Sequence, residues 1–245
     1  YLFDEDTGSV YKKTFGTQYV GYAQDRWQLH KNFELTAGLR ATYYDLAKNY
    51  FFEPRMSFIL HLTDKLRLKG AGGQYRQFVR NLTREDAMQG DKDFWVMADG
   101  DLAPLGKSNH YIFGGTYETN KWLFDVEAYY KKMTGLAEFA SMRMGRMPPP
   151  DEEDEERDPI DMTALFFKGV GDAKGVEFLA QKKFGNHTGW LTYTLSNVRY
   201  NIRDLNDGYY NASHDSTHEI KLVDSYAWRN FVFSGSMVYA SGKPF

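Results

Sequence analysis

The chain alternates apolar and polar residues, one by one, over unusually long stretches. Between Tyr19 and Tyr43, most odd-numbered residues are apolar or small, and most even-numbered residues are polar or charged. A period of two is typical of a β-strand with one apolar and one polar face. The segment His30-Lys31-Asn32 divides the stretch into two strands, each about twice as long as an ordinary strand of ~5–6 residues. Strands this long and one-sided need a large apolar surface to lie against.

The same pattern recurs, so the sequence predicts about ten strands in five antiparallel hairpins. In the first hairpin, Trp27 is predicted to oppose Leu35, Leu29 to oppose Phe33, and residues 30–32 to form a three-residue turn. The strands of each hairpin are joined by tight turns. Three connections between hairpins are long and polar, and are predicted as loops: Gln77–Lys107, Thr134–Lys168 and Tyr200–Thr217. Tight turns that alternate with long loops are typical of a transmembrane β-barrel, with periplasmic turns and extracellular loops.

Lipid is the predicted covering of the apolar face, and a soluble β-sandwich is the alternative. Mean hydropathy is −0.60, and no window approaches the ~20 apolar residues of a spanning helix, but a spanning strand needs only about 9–11 alternating residues. Asp25 and Asp224 fall on the apolar face, both near a short turn. The net charge of −3 argues against a nucleic-acid partner, and the absence of Cys excludes disulfides and thiolate chemistry.

Several motifs lie in order along the chain, beginning with "YAQDRWQLHKNFELTAGLR" (Tyr22–Arg40) and "FEPRMSF" (Phe52–Phe58). The first resembles the Y-x-Q-D-x-W…L-x-x-G-x-R hairpin of TonB-dependent outer-membrane receptors, and the second resembles their P-R-x-S strand. The motifs are most similar to those of receptors from Bacteroidetes-type bacteria. Further similar segments are "LRLKGAGGQYRQF" (Leu66–Phe78), "VEAYYKKMTGL" (Val126–Leu136), "GDAKGVEFLAQKKFGNHTGWLTYTLS" (Gly171–Ser196) and the terminal "VYASGKPF".

The resemblance implies a 22-stranded barrel with an N-terminal plug in its lumen. Such a receptor, in the outer membrane of a Gram-negative bacterium, imports a scarce nutrient such as a ferric siderophore, haem, cobalamin or glycan. Residues 1–245 would then be a partial barrel domain, since no plug, TonB box or closing strand is recognised and neither end looks natural. The implied partners are outer-membrane lipid, the nutrient, the TonB complex through the missing N-terminal region, and in some relatives a surface lipoprotein.

Two groups of residues are candidates for function. The first lies in or beside the first long loop, where cations and aromatic rings could hold an anionic, ring-bearing ligand: Arg76, Arg80, Arg84, Phe94 and Trp95. An ordinary solvated loop with two aromatics tucked beneath it is the alternative. The second group is predicted to face the lumen, where it would pair with a plug or line water: Arg40, Arg55, Arg67, Lys69, Asp125, Glu127, Glu177 and Lys221.

The remaining motifs predict no catalytic or metal site. The acidic run within Pro148–Asp158, densest over 151–158, lacks the spacing of a calcium loop and is read as a solvated loop tip. The six His show no metal-ligand spacing, and no nucleophile elbow or ordered triad appears, so neither a metal, a cofactor nor an enzyme is predicted. Two other functions stay open, a passive outer-membrane channel and a soluble all-β binding module.

Overall fold

The computed structural model describes residues 2–4, 9–11, 15–84, 92–100, 103–139, 166–203 and 206–242. The acidic run at 151–158 lies outside the described residues. Every regular element in the described part is a β-strand. The strands are β1 (Leu2–Asp4), β2 (Ser9–Tyr11), β3 (Gln18–His30), β4 (Phe33–Tyr44), β5 (Asn49–His61), β6 (Leu66–Gln77), β7 (Val79–Arg84), β8 (Lys92–Met97), β9 (Gly106–Glu118), β10 (Trp122–Phe139), β11 (Phe166–Lys182), β12 (His187–Asn201), β13 (Tyr210–Asn211), β14 (His218–Trp228) and β15 (Phe231–Ala240).

Ten long strands form one antiparallel meander in the order β15-β14-β12-β11-β10-β9-β6-β5-β4-β3. The short strand β13 joins the sheet beside β12, and β1–β2 and β7–β8 form two separate hairpins. This architecture confirms the predicted all-β, antiparallel fold with ten strands in five hairpins. In the described part of the chain, β3 and β15 each have an outer edge with no partner strand.

The pairing of the strands places the apolar residues of each hairpin on one face, as predicted. Trp27 opposes Leu35 in the first hairpin, and Val176 opposes Leu195 in the fourth. The predicted first turn is wrong in detail, because His30 pairs with Phe33 around a two-residue turn. A bulge between Gln28 and His30 absorbs the extra residue, so Leu29 does not oppose Phe33.

The long connections contain more structure than the sequence predicted. The segment Gln77–Lys107, predicted as a loop, carries the hairpin β7–β8, whose strands are six residues each. Strand β10 continues to Phe139, beyond the predicted end of its hairpin, and β11 begins at Phe166. The connection between β4 and β5 is short, spanning only residues 45–48.

Most of the sheet has no second layer packed on it, so the buried clusters are small and lie toward the long connections. Tyr44, Phe51 and Phe78 form one cluster, and Phe167 and Ile202 form another. No helix in the described part of the chain is long and apolar enough to cross a membrane.

Candidate functional site

The outward face of the sheet is an exposed band of large apolar side chains. Phe113 of β9 is 55% exposed and Tyr239 of β15 is 57% exposed, although both lie in the middle or upper part of regular strands. A soluble protein seldom exposes a contiguous apolar area of this extent. The face therefore needs an apolar covering.

Aromatic residues are concentrated in two rows that bound this band. The row near the short turns contains Trp27, Trp122, Trp228 and Phe231, and the row toward the long connections contains Tyr19, Tyr43, Tyr50, Tyr111, Tyr130 and Tyr239. Neighbouring rings in each row are close, with centroids 4.9 Å apart for Tyr43 and Tyr50 and 6.4 Å apart for Trp228 and Phe231. Paired aromatic girdles are typical of a barrel whose outer surface meets the two interfaces of a bilayer.

The lower aromatic row runs obliquely across the strands. Following the paired residues from Trp27 through eight strand-to-strand steps leads to His218 on β14. The tryptophan on that strand is Trp228, ten positions further along. If the strands ran perpendicular to the row, the two tryptophans would fall in register.

The upper row gives the same offset. From Tyr239, eight steps back through the pairing lead to Phe33 on β4, and the tyrosine of the row is Tyr43, ten positions away. Ten residues are about 33 Å along a strand, and eight strand spacings are about 38 Å across the sheet. The ratio corresponds to a strand tilt of about 40°, within the ~35–45° of transmembrane barrels.

The height of the band follows from the same geometry. Eight residues separate the two rows on β10, from Trp122 to Tyr130, and on β15, from Phe231 to Tyr239. Eight residues extend about 27 Å along a strand, which a tilt of about 40° reduces to about 20 Å along the membrane normal. This height is close to the ~25 Å apolar band of known transmembrane barrels.

One acidic residue on the apolar face has a local partner. Asp224, on the outward face near a short turn, lies with its Oδ2 3.1 Å from Nδ1 of His187. The ring of His187 also stacks on Tyr226, with 4.4 Å between centroids. A polar pair at the membrane interface needs far less desolvation than one at the centre of the band.

The inward face is polar, and most of its predicted charged residues form ion pairs within the sheet. Lys69 Nζ lies 2.9 Å from Asp125 Oδ2 and also contacts Glu127. Arg67 Nη2 lies 2.9 Å from an oxygen of Glu118. The remaining pairs are Arg40 and Arg55 with Glu53, and Lys221 with Glu219. The sequence predicts that these residues pair with a plug or line water, and it does not identify Glu53, Glu118 and Glu219 as partners within the sheet.

Glu53 is the most informative of the residues that sequence reasoning missed. Its side chain is 2% exposed, and its Oε1 accepts a hydrogen bond from the backbone N–H of Arg76 at 2.9 Å. The guanidinium groups of Arg40 and Arg55 lie 3.4 Å and 3.9 Å from its two oxygens. The pairing between β5 and β6 ends at Arg55, so Glu53 occupies the point where β6 separates from its neighbour. Its position two residues before Arg55, on the same face of an alternating strand, is the signal that could have identified it.

Glu177 differs from the other predicted inward residues, because it forms no ion pair among the residues that the structure describes. It lines an inward recess of about 420 Å³ together with Asp125, Glu127, Glu219 and Lys221. Four carboxylates and one ammonium give this recess a negative charge. It is a surface suited to a cationic or hydrogen-bond-donating group inside the barrel.

The structure brings two of the predicted ligand-binding arginines together at the long-connection end. Arg76, at the end of β6, and Arg80, on β7, line one small cavity of about 190 Å³. Arg76 packs over the ring of Phe51, with its guanidinium carbon 5.3 Å from the ring centroid. Arg80 is 7% exposed, and burial lowers its pKa from the ordinary value.

Arg80 holds the β7–β8 hairpin against β10. Its Nη2 donates a hydrogen bond of 2.5 Å to the carbonyl oxygen of Gly135. Gly135 has a φ of 66°, a left-handed conformation that glycine adopts readily, and it forms a bulge between Thr134 and Leu136. The bulge turns one carbonyl group out of the ladder, where Arg80 meets it.

The other members of the predicted ligand group lie on the same hairpin. Trp95 opposes Asn81 and is 73% exposed, so it is not tucked beneath a loop. Arg84 pairs with Lys92 in the backbone ladder, and Phe94 pairs with Leu82. The side chains of Arg84 and Phe94 lie outside the described part of the chain. Within that part, no three His, Cys, Asp or Glu side chains come together in a way that could hold a metal ion.

Comparison with a family model identifies the barrel. Residues 2–243 match the model described as "TonB dependent receptor-like, beta-barrel". The match covers almost the whole chain. No protein with a curated description is similar enough in sequence to match.

Solved structures of receptor barrels are similar in fold. A chain in the structure of the FpvAI–pyocin S2 complex superposes with a TM-score of 0.62 and 12% identity, covering 91% of this chain and 28% of that one. The ferric yersiniabactin uptake receptor FyuA from Yersinia pestis gives 0.58 and 14%, covering 91% and 33%. The alcaligin outer membrane receptor FauA from Bordetella pertussis gives 0.55 and 13%, covering 93% and 38%. The chain therefore spans roughly a third of the length of each structure.

Proposed function

The chain belongs to the TonB-dependent receptor family, and from this premise we propose that it is part of the barrel of an energised nutrient importer. Receptors of this family lie in the outer membrane of Gram-negative bacteria, which is the location of this chain. The proposed cargo is a scarce nutrient too large for simple diffusion, such as a ferric siderophore, haem, cobalamin or glycan. The uptake receptor for ferric yersiniabactin among the similar structures supports a ferric siderophore as the first candidate.

One observation carries the proposal: a single sheet with an apolar outside, a charged inside and strands tilted by about 40°. Unpaired strand edges are not tolerated in a bilayer, because no water is present there to satisfy the backbone. We therefore propose that residues 1–245 are one partial barrel domain. Strands outside these residues would pair with β3 and β15 and complete a barrel of 22 strands.

The inward face is the proposed contact surface for a plug. The ion-paired side chains of this face, among them Arg40 and Lys221, form a preorganised polar surface. The acidic recess around Glu177 can accept hydrogen bonds from donor groups of the plug. The TonB complex would act on that plug through a region outside this chain. A surface lipoprotein at the long-connection end is a further proposed partner.

The ligand is proposed to meet the barrel at the β7–β8 hairpin. Trp95 presents an exposed ring there, which suits stacking on an aromatic or sugar group of a ligand. Arg84 would supply a cation on the same hairpin. Arg76 and Arg80 would support the site from below, because both are packed into the barrel wall.

Uptake by the intact receptor in its native bacterium tests the proposal. Cells would be supplied with ⁵⁵Fe-labelled siderophores, haem, labelled cobalamin and oligosaccharides, with and without a protonophore. The expected result is saturable uptake of one class, lost on deletion of the gene and lost with the protonophore. Uptake that stays proportional to concentration and is insensitive to the protonophore would instead establish a passive channel.

The ligand site has its own test in the same assay. Replacing Trp95 with Ala is expected to raise the half-saturating ligand concentration by up to about tenfold, since one stacked aromatic pair contributes about 0.5–1.5 kcal/mol. Phe184→Ala is the matched control, because that side chain is 64% exposed in the short turn between β11 and β12, at the opposite end of the strands from the hairpin. Equal behaviour of the two variants would refute the placement of the ligand.

A further inference from the structure

A groove runs along the outward face of β6, within the apolar band. Gly72 forms its open floor, because it leaves this face of the strand without a side chain, and the ring of Phe58 lies over the neighbouring Gly70. The groove is flanked by Met56 and Phe58 on β5 and by Tyr111 and Phe113 on β9, and its volume is about 760 Å³. A groove that faces lipid between apolar side chains has the shape and polarity to bind an acyl chain.

The groove reaches the upper edge of the band. Gly72 pairs with Tyr111, which belongs to the upper aromatic row, and the next outward pair above it is Gln74 with Asn109. Polar residues thus begin where the groove ends. A lipid whose acyl chain lies in the groove would have its headgroup at this level.

Three lysines lie beside that upper end on the outward face, all on the β9 side of the groove. Lys132 on β10 lies directly opposite Asn109, and Lys107 and Lys174 are its diagonal neighbours on the strands to either side. Diagonal residues on one face are about 7–8 Å apart, so an anion of phosphate size can lie between two of these ammonium groups. Lys132 and Lys174 are exposed.

The nearest acidic residue to the three lysines on this face is Asp172, directly opposite Lys132. Its side chain is almost fully buried and is held by Arg199, whose Nη2 lies 3.1 Å from its Oδ1. In the described part of the chain, none of Lys107, Lys132 and Lys174 forms an ion pair. Three like charges left unpaired at this spacing repel one another, and a bound anion would relieve the repulsion.

We propose that this groove and the three lysines bind one phosphorylated lipid of the outer leaflet. One acyl chain occupies the groove over Gly72, beside the ring of Phe58 that covers Gly70. The phosphate is held between Lys132 and its two neighbours, which act as point charges on flexible stems. The site lies on the outside of the barrel and is separate from the lumen through which a nutrient would pass.

Native mass spectrometry of the intact receptor in a non-ionic detergent tests the site. The probes are lipid A with its phosphates and the same lipid after dephosphorylation. The expected result is one phosphorylated lipid retained per receptor, with at least about tenfold weaker binding to the triple variant K107Q/K132Q/K174Q. Equal binding of the two lipids, or wild-type affinity in the triple variant, would overturn the proposal.

Two further variants separate the parts of the site. K31Q/K65Q/K121Q removes the same charge from the short turns and is expected to bind lipid as the wild type does. Gly72→Leu places a side chain in the groove and is expected to weaken both probes, while the lysines still favour the phosphorylated one. If Gly72→Leu leaves both affinities unchanged, the groove is not the seat of the chain. Because the readout is lipid retention, its outcome is independent of whether the receptor transports a nutrient.

Discussion

Replacing Glu53 with Ala is expected to destabilise the barrel far more than an ordinary change on its inward face. The substitution removes the acceptor of the Arg76 backbone N–H at 2.9 Å, where a hydrogen bond to a charged group contributes about 1.5–3 kcal/mol. It also removes the shared counter-charge of Arg40 and Arg55. Those guanidinium groups are about two-fifths exposed, so solvent reduces this second contribution to about 1 kcal/mol or less. The expected loss is about 2–4 kcal/mol.

The assay is equilibrium unfolding of the intact receptor in lipid vesicles, followed by tryptophan fluorescence. Glu53→Gln keeps an acceptor oxygen for Arg76 and is expected to lose only about half as much. Glu219→Ala is the matched control, because its pair with Lys221 is exposed and contributes less than about 1 kcal/mol. A loss for Glu53→Ala within about 0.5 kcal/mol of the control would refute the assigned role of Glu53.

Three other outcomes are expected. Gly135→Ala forces a side chain into a left-handed φ and against a backbone carbonyl group, at a cost of about 2 kcal/mol or more. The substitution should detach the hairpin held by Arg80 and make that hairpin sensitive to protease. Unchanged protease resistance would contradict this. Val126→Arg, at the centre of the apolar band, should cost about 2–4 kcal/mol of unfolding free energy in vesicles, whereas Thr192→Arg on the inward face should cost little; similar losses would contradict the assignment of faces. Burial raises the pKa of Tyr210 to about 12, above its ordinary 10. The packing of that tyrosine therefore stabilises the connection between β12 and β14 fully below pH 10, and this contribution is lost as pH rises through 12. The difference in near-UV circular dichroism between the wild type and Tyr210→Phe should follow this transition, and identical pH profiles of the two proteins would contradict it.

Strand number, pairing and faces could be predicted from the sequence because the bilayer enforces them at every position. A one-residue shift in pairing would turn each apolar side chain of a strand toward the lumen. Alternation therefore places Val176 and Leu195 on the same face, and the tight turn between β11 and β12 sets their register. The structural predictions are wrong where the bilayer no longer constrains the strands. Examples are the bulge before His30 and the hairpin β7–β8, which lies beyond the apolar band.

The candidate site was less predictable, because its geometry depends on contacts between residues distant in sequence. Arg80 was selected for its charge, but its 2.5 Å hydrogen bond to Gly135 exists only because a bulge in β10 presents a free carbonyl group. The role of Glu53 was not predicted, because its burial depends on the separation of β5 from β6, and no local sequence pattern predicts that separation. The inward charges were predicted to share one face, since they alternate with apolar residues, but the partners Glu53, Glu118 and Glu219 were not predicted.

The most direct test of the central claim is the accessibility of single cysteines along β10 in the intact receptor, reconstituted in vesicles. These 245 residues contain no cysteine, which makes each introduced thiol a specific reporter. A spin label at 124, 126 or 128 should be relaxed by oxygen dissolved in lipid, and a label at 125, 127 or 129 by a water-soluble nickel complex. An alternation with a period of two would support a tilted strand between lipid and lumen. Equal access of the nickel complex to both sets would contradict the membrane barrel.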